Sequence, residues 1–197
     1  FGADTLRLYL MFLGPFNQGG DFYDTALEGM YRFVRRVWKL ITENFVIATP
    51  SETRGKQSQD EGIASSSVSR LTPRNDIDKD RLSVMHKTIK KVTEDIEHLR
   101  YNTAIAVMME WYNFLKSKVK SQKSKVTKEE IETYLKLLAP FAPHVTEELY
   151  QRFKIYDLRF KNKKTEKDHK SFQSIHTQPW PTFDPKFLEE DEVTIVV

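Results

Sequence analysis

The sequence predicts an all-α protein, an antiparallel helix bundle with the start of a small β element at its C-terminus. Three observations carry this reading. Apolar residues recur at spacings of three and four over most of the chain. Capping-box patterns and proline breaks punctuate that periodicity. The β-branched run Val193-Thr194-Ile195-Val196-Val197 closes the chain and reads as one strand.

The first helix is expected over Ala3 to Leu13. Leu6, Leu8, Tyr9, Met11, Phe12 and Leu13 are too dense for an exposed helix, so it reads as a buried one. Gly14-Pro15 stops it by loss of a donor and by ring clash. The second helix starts near Asp24 or Thr25, where Thr25 and Glu28 have capping-box spacing, and runs to about Phe45. At about 100° per residue, Leu27, Met30, Val34, Val37, Trp38, Ile41 and Phe45 share one arc. Arg32, Arg35, Arg36 and Lys39 share the opposite one.

From Thr49 to Asn75 the pattern gives way to Ser, Thr, Gln, Gly and charge, the composition of a linker or disordered insertion. Periodicity returns with Leu82, Met85, Ile89, Val92, Ile96 and Leu99, and again with Ile105, Met108, Met109, Tyr112, Leu115 and Val119. Asn102-Thr103 between these stripes marks either a cap or a kink. Lys116 to Lys128 holds six lysines and no acid, and reads as a solvated connection. Thr127 and Glu130 form a second capping box, leading into Ile131, Leu135 and Leu138. Pro140 and Pro143 bracket a break, and a last helix from His144 to about Phe153 buries Val145, Leu149 and Phe153. Lys154 to Lys170, with seven basic residues against three acids, reads as a mobile basic loop.

A chain of 197 residues can bury one substantial core. With 39% apolar and 30% charged residues it fits a soluble domain, and no apolar run approaches the roughly 18 residues that span a bilayer. Cysteine is absent, which excludes disulfides and thiolate metal sites and fits an intracellular compartment. None of the five histidines sits at metal-ligand spacing from another. The first residue is Phe1, in mid-pattern, so the expectation is a piece of a longer protein.

No self-contained active site is legible. Gly19-Gly20 lacks the frame of a phosphate-binding loop and reads as a plain turn. Glu147-Glu148 and Glu189-Glu190 are adjacent carboxylates, which diverge by about 100° on a helix and read as solvated charge. Trp38 and Met108-Met109 read as core, and His144 as a local hydrogen-bonding group. The candidate site is the cationic arc. Four cations on one face repel one another unless acids or a polyanion neutralise them, and guanidinium groups match phosphate geometry. Arg32, Arg35, Arg36 and Lys39 are therefore candidate phosphate contacts, with Lys87, Lys90 and Lys91 on the third helix as a second set. Neighbouring helices would make one groove of the two sets. The competing reading is a solvated face on a helical protein-interaction module.

Specific blocks of residues add to this. Phe1-Gly2-Ala3-Asp4-Thr5-Leu6-Arg7-Leu8-Tyr9 with Met11-Phe12-x-Gly14-Pro15, and Glu28-Gly29-x-Tyr31-Arg32-Phe33-x-x-Arg36-Val37-Trp38, resemble consecutive segments of leucyl-tRNA synthetases. Asn102-Thr103-Ala104-Ile105, Leu138-Ala139-Pro140-Phe141-Ala142-Pro143-His144-x-x-Glu147-Glu148-Leu149 and Ser174-Ile175-His176-x-x-x-Trp180-Pro181 are similar to later segments of the same family. Some of these blocks also occur in the valyl, isoleucyl and methionyl enzymes. Met-Phe-x-Gly-Pro with Arg-Phe-x-x-Arg-Val-Trp points to the leucyl branch, and the valyl or isoleucyl enzyme is the alternative. The resemblance implies that residues 1–20 end the connection after a catalytic domain. Residues 21–153 would form the anticodon-binding bundle, with the insertion 49–75. Residues 154–197 would comprise the basic loop and the start of a C-terminal β region. The family's two ATP-handling signatures are absent, so the piece is expected to be inactive alone and to hold no cofactor. ATP and Mg²⁺ are implied for the intact ligase, which would be cytoplasmic. Its implied partners are tRNA(Leu), held by arms and backbone rather than by anticodon bases, and the catalytic domain of the same enzyme, with no membrane.

Overall fold

In a computed structural model, residues 1–15, 17–18, 20–46, 74–120, 126–161 and 172–188 are described. They form six α-helices: α1 (Ala3–Phe12), α2 (Asp24–Val46), α3 (Arg74–Glu97), α4 (Tyr101–Lys120), α5 (Lys128–Leu138) and α6 (Pro143–Lys161). Two short 3₁₀ turns, Ile175–Thr177 and Pro185–Phe187, follow. The all-α bundle is as expected, and no strand occurs among the described residues. The predicted strand at 193–197 and most of the stretch 49–75 lie outside them, apart from Arg74 and Asn75, which already belong to α3.

The periodic stripes form the core. Met30, Val37 and Ile41 of α2, Met85, Ile89 and Val92 of α3, and Ile105, Met108 and Leu115 of α4 are buried together. Ile131, Leu135 and Leu138 of α5 and Leu149 and Phe153 of α6 complete it. Phe33, Trp111 and Tyr134 are also buried, though the spacing rules did not single them out. Thr127 caps α5 as predicted, its side chain taking the Glu130 amide while Glu130 takes the Thr127 amide.

Five expectations need correction. The first helix is not buried all round: Leu8 and Tyr9 are covered, but Leu6 is 43% and Leu10 54% exposed. Packing on α2, α4 and α6 covers only one of its faces. Thr25 is not a cap, because α2 already starts at Asp24 and the Tyr23 carbonyl accepts from the Ala26 and Leu27 amides. Glu28 turns instead to Arg32. α4 runs on to Lys120, into the expected lysine-rich connection, and α6 runs to Lys161, eight residues past Phe153. Helix formation tolerates lysine and arginine well, so a basic composition does not end a helix. Finally, Asn102-Thr103 neither caps nor kinks, since both lie inside α4.

The break between α3 and α4 falls earlier. The Leu99 amide donates to the Ile96 carbonyl and the Arg100 amide to that of Asp95, with Leu99 at φ 57°. This is a Schellman closure built without the usual glycine, which hid it from the sequence. Arg100 and Lys91 both reach the Asp95 carboxylate at 2.8 Å and brace the turn. Gly20 sits tightly where the chain doubles back after α1: a Cβ there would lie 3.0 Å from the Leu13 carbonyl oxygen, so a side chain would need that segment to give by a few tenths of an ångström.

Two blocks distant in sequence meet in space. Asp4 of α1 is buried, and one carboxylate oxygen accepts from the Val145 amide at the start of α6, at 2.7 Å. The other lies 2.8 Å from His144 Nδ1. An acid at a helix N-terminus satisfies free amides and opposes the helix dipole. Residues 172–188 pack back as a strap. Ile175 is buried, Trp180 Nε1 donates to Thr93 Oγ1 at 2.9 Å, and the Phe187 ring stacks on His86 at 4.7 Å.

Candidate nucleic-acid interface

α2 presents its cations where its periodicity requires. Met30, Phe33, Val37 and Ile41 fill the core, so the far side of the helix carries Arg32, Arg35, Arg36 and Lys39. Two of the four have acidic neighbours one turn away: Arg32 with Glu28 at 3.7 Å and Lys39 with Glu43 at 3.5 Å. Both pairs are well exposed, so solvent and salt leave them weak and easily exchanged for a phosphate. Arg35 lies 5.7 Å over the Tyr31 ring. Arg36 faces Tyr112 of α4. Burial pushes the Tyr112 hydroxyl up, Arg36 pulls it down, and Glu43 pushes it up again.

The second set is placed differently. Lys90 reaches Glu94 at 3.9 Å, Lys91 is held by buried Asp95, and Lys87 also has an interaction of its own. Of these, Lys91 at 2.8 Å from a buried carboxylate braces α3, while the exposed Lys90 pair is as weak as those of α2. Among the described residues α2 packs on α1, α4 and α6, whereas α3 packs on α4, α5 and the strap. α2 and α3 are therefore not the adjacent helices that the single-groove expectation assumed. Helical periodicity fixes which face of a helix is polar, but not which helices become neighbours.

Three residues outside the expected set flank the α2 cations. Lys116 of α4 has its Nζ 6.0 Å over the Tyr112 ring. Arg152 of α6 lies 4.8 Å over the Trp38 ring and is hydrogen-bonded to Glu148 at 2.7 Å. Trp38 itself is only half-buried, and it lines a surface depression of about 390 Å³ with Arg32, Arg35, Arg36 and Lys39. Nothing in the spacing of α2 separates a half-buried Trp from a fully buried one, and Arg152 lies far away in sequence.

The acids that could have carried chemistry are structural. Glu147 accepts from Ser174 Oγ at 2.6 Å, from the Ile175 amide at 3.0 Å and from Gln151 at 2.6 Å, so it anchors the strap rather than standing in solvent. Burial pushes its carboxyl up, but these donors outweigh that and hold it below the usual range. Asp95 behaves likewise, with burial opposed by Lys91, Thr103 and Arg100. Arg81 and Glu130 form a buried two-bond pair joining α3 to α5. No cluster of three metal-binding side chains occurs among the described residues, and none of their helices is long and apolar enough to cross a membrane.

Similarity to known proteins extends along the chain. Residues 78–197 match the family described as the anticodon-binding domain of tRNA ligase. The whole chain is 34% identical over 200 residues to a leucine–tRNA ligase of Dehalococcoides mccartyi, and 37% identical over 197 residues to one of Chlorobium phaeobacteroides. It spans about 20% of the length of each. Among solved structures, the leucyl-tRNA synthetase of the Agrobacterium radiobacter K84 agnB2 LeuRS-tRNA-LeuAMS ternary complex superposes with a TM-score of 0.68 at 25% identity. That match covers 96% of this chain and 20% of the other.

Proposed function

We propose, from the premise that this chain belongs to the anticodon-binding domain family of tRNA ligases, that it is the tRNA-holding helical part of a leucine–tRNA ligase. The observation that carries the leucine assignment, over a valyl or isoleucyl one, is the match to leucine–tRNA ligases along all of its length. The intact enzyme would act in the cytoplasm, activating leucine with ATP and Mg²⁺ and transferring it to tRNA(Leu). In this reading that chemistry would belong to the remainder of the enzyme, since the chain spans about 20% of the length of its relatives.

The role left to the chain is electrostatic positioning. Arg32, Arg35, Arg36 and Lys39 would take phosphates along one arm of the tRNA, with Lys87, Lys90 and Lys91 as a weaker second set in which the buried Asp95 carboxylate competes for Lys91. Phosphate contacts release counterions, so affinity must fall with salt. Binding of a tRNA(Leu) transcript would be measured against salt for the wild type and for Arg32→Ala, Arg35→Ala and Arg36→Ala. Each lost contact should lower the magnitude of the log–log slope by a little under about one unit. Unchanged affinities and slopes in all three variants would refute the assignment. The internal pairing of the α3 lysines favours one other reading, a helical protein-interaction module, which predicts salt-insensitive binding to a protein partner.

A further inference from the structure

We infer that the Trp38 depression is a stacking platform for one unpaired nucleotide of RNA, a site that rests on the tRNA-holding reading above. The Trp38 ring is already part of a pile, with the Arg152 guanidinium 4.8 Å from its centroid. Glu148 holds that guanidinium at 2.7 Å, and both side chains are about half exposed, so it can be extended or displaced by a ligand. Arg32, Arg35, Arg36 and Lys39 surround the same depression of about 390 Å³. An aromatic face and a guanidinium plane are the two surfaces on which an unpaired base stacks, and the surrounding cations suit the phosphates on either side of it.

The combination selects among polyanions. A carboxylate-rich peptide would use the cations and leave the indole idle. A base inside a duplex has both faces covered by its neighbours and cannot reach the ring. An unpaired nucleotide uses every group present. The lining holds donors and no acceptor, so it cannot read base amino groups, and the platform should tolerate different bases.

The test uses the 197-residue chain, single-stranded RNA of about ten nucleotides and the same RNA annealed to its complement. The expected result is tighter binding of the single strand, with quenching of indole fluorescence. Trp111 is buried and Trp180 lies on the strap, so the quench that vanishes in Trp38→Phe belongs to Trp38. Trp38→Phe should keep its affinity within about threefold, while Trp38→Leu should lose about tenfold or more. Arg152→Gln should lose less. Helicity and melting temperature guard the reading of Trp38→Leu. If that variant does not fold, the quench lost in Trp38→Phe decides the matter. Equal binding of single strand and duplex without a Trp38 quench would overturn the platform. So would tight binding of polyglutamate with the same sensitivity to Trp38→Leu, which would point to an acidic protein segment. Full tRNA binding by a folded Trp38→Leu would remove the platform and leave the phosphate reading standing. Binding of no nucleic acid at all would remove both.

Discussion

Replacing Arg81 by Met should destabilise the bundle by about 3 kcal/mol, the lower end of the range for breaking a buried ion pair. The side chains of Arg81 and Glu130 are only 5% and 4% exposed. Arg81 Nε donates to Oε1 at 2.8 Å, and a second guanidinium nitrogen donates to Oε2. Methionine retains most of the aliphatic stem, so little cavity opens and the loss reports chiefly on the stranded carboxylate. Glu130 would keep one partner, the Thr127 amide at 2.7 Å, which holds the cost to the lower end. Glu130→Leu loses the pair and half the capping box, worth about 1 kcal/mol more. The double variant Arg81→Met/Glu130→Leu removes both charges and should recover all but about 1 kcal/mol, the lost half of the cap, because matched apolar replacements of buried pairs are close to neutral. Urea unfolding followed by circular dichroism gives all four free energies of the cycle. A single variant within about 0.5 kcal/mol of the wild type, or a double variant no better than the worse single, would refute the reasoning.

Two further outcomes follow from the other buried acids. Asp4→Ala removes both partners of the α6 N-terminus and should cost about 2 kcal/mol, lowering the melting temperature by roughly 4–8 °C. A calorimetric shift of under about 1 °C would contradict the capping role. Asp95 and Glu147 are held below the usual carboxylate range when folded. The unfolded chain therefore binds more protons near their ordinary values, and stability rises with pH there. The stabilisation should be present above about pH 5 and lost as the pH falls through their lowered folded values. Glu147→Gln should flatten that dependence, and an unaltered acid profile would count against it.

Helix existence was legible because core faces recur at the helical period. That is why the stripes of α2, α4 and α5 fall where the residues put them, and why the Thr127–Glu130 cap was visible in four letters. What periodicity cannot carry is adjacency. α3 and α2 each show a basic face, yet they do not pack side by side. The strap was also hidden. Residues 172–188 have no period, and their contacts with Thr93 and His86 come from residues 87 and 98 positions away. Termini misled for a local reason: Leu99 closes α3 in a conformation that glycine would have advertised. At the candidate site the α2 cations were legible, but Trp38 read as core because an arc assignment does not measure exposure.

The Asp4 clamp also sets a timetable. Its acceptor and donors are 140 and 141 residues apart in the chain. At ribosomal speeds of about 5–20 residues per second, Asp4 would wait roughly 7–28 s for the start of α6 to be synthesised. During that interval α1 can rest on α2 and later on α4, but it lacks its clamp and α6. The nascent bundle would thus hold a first helix secured on only part of its buried face until α6 is made. The first helix of the bundle to be made is therefore the one locked last.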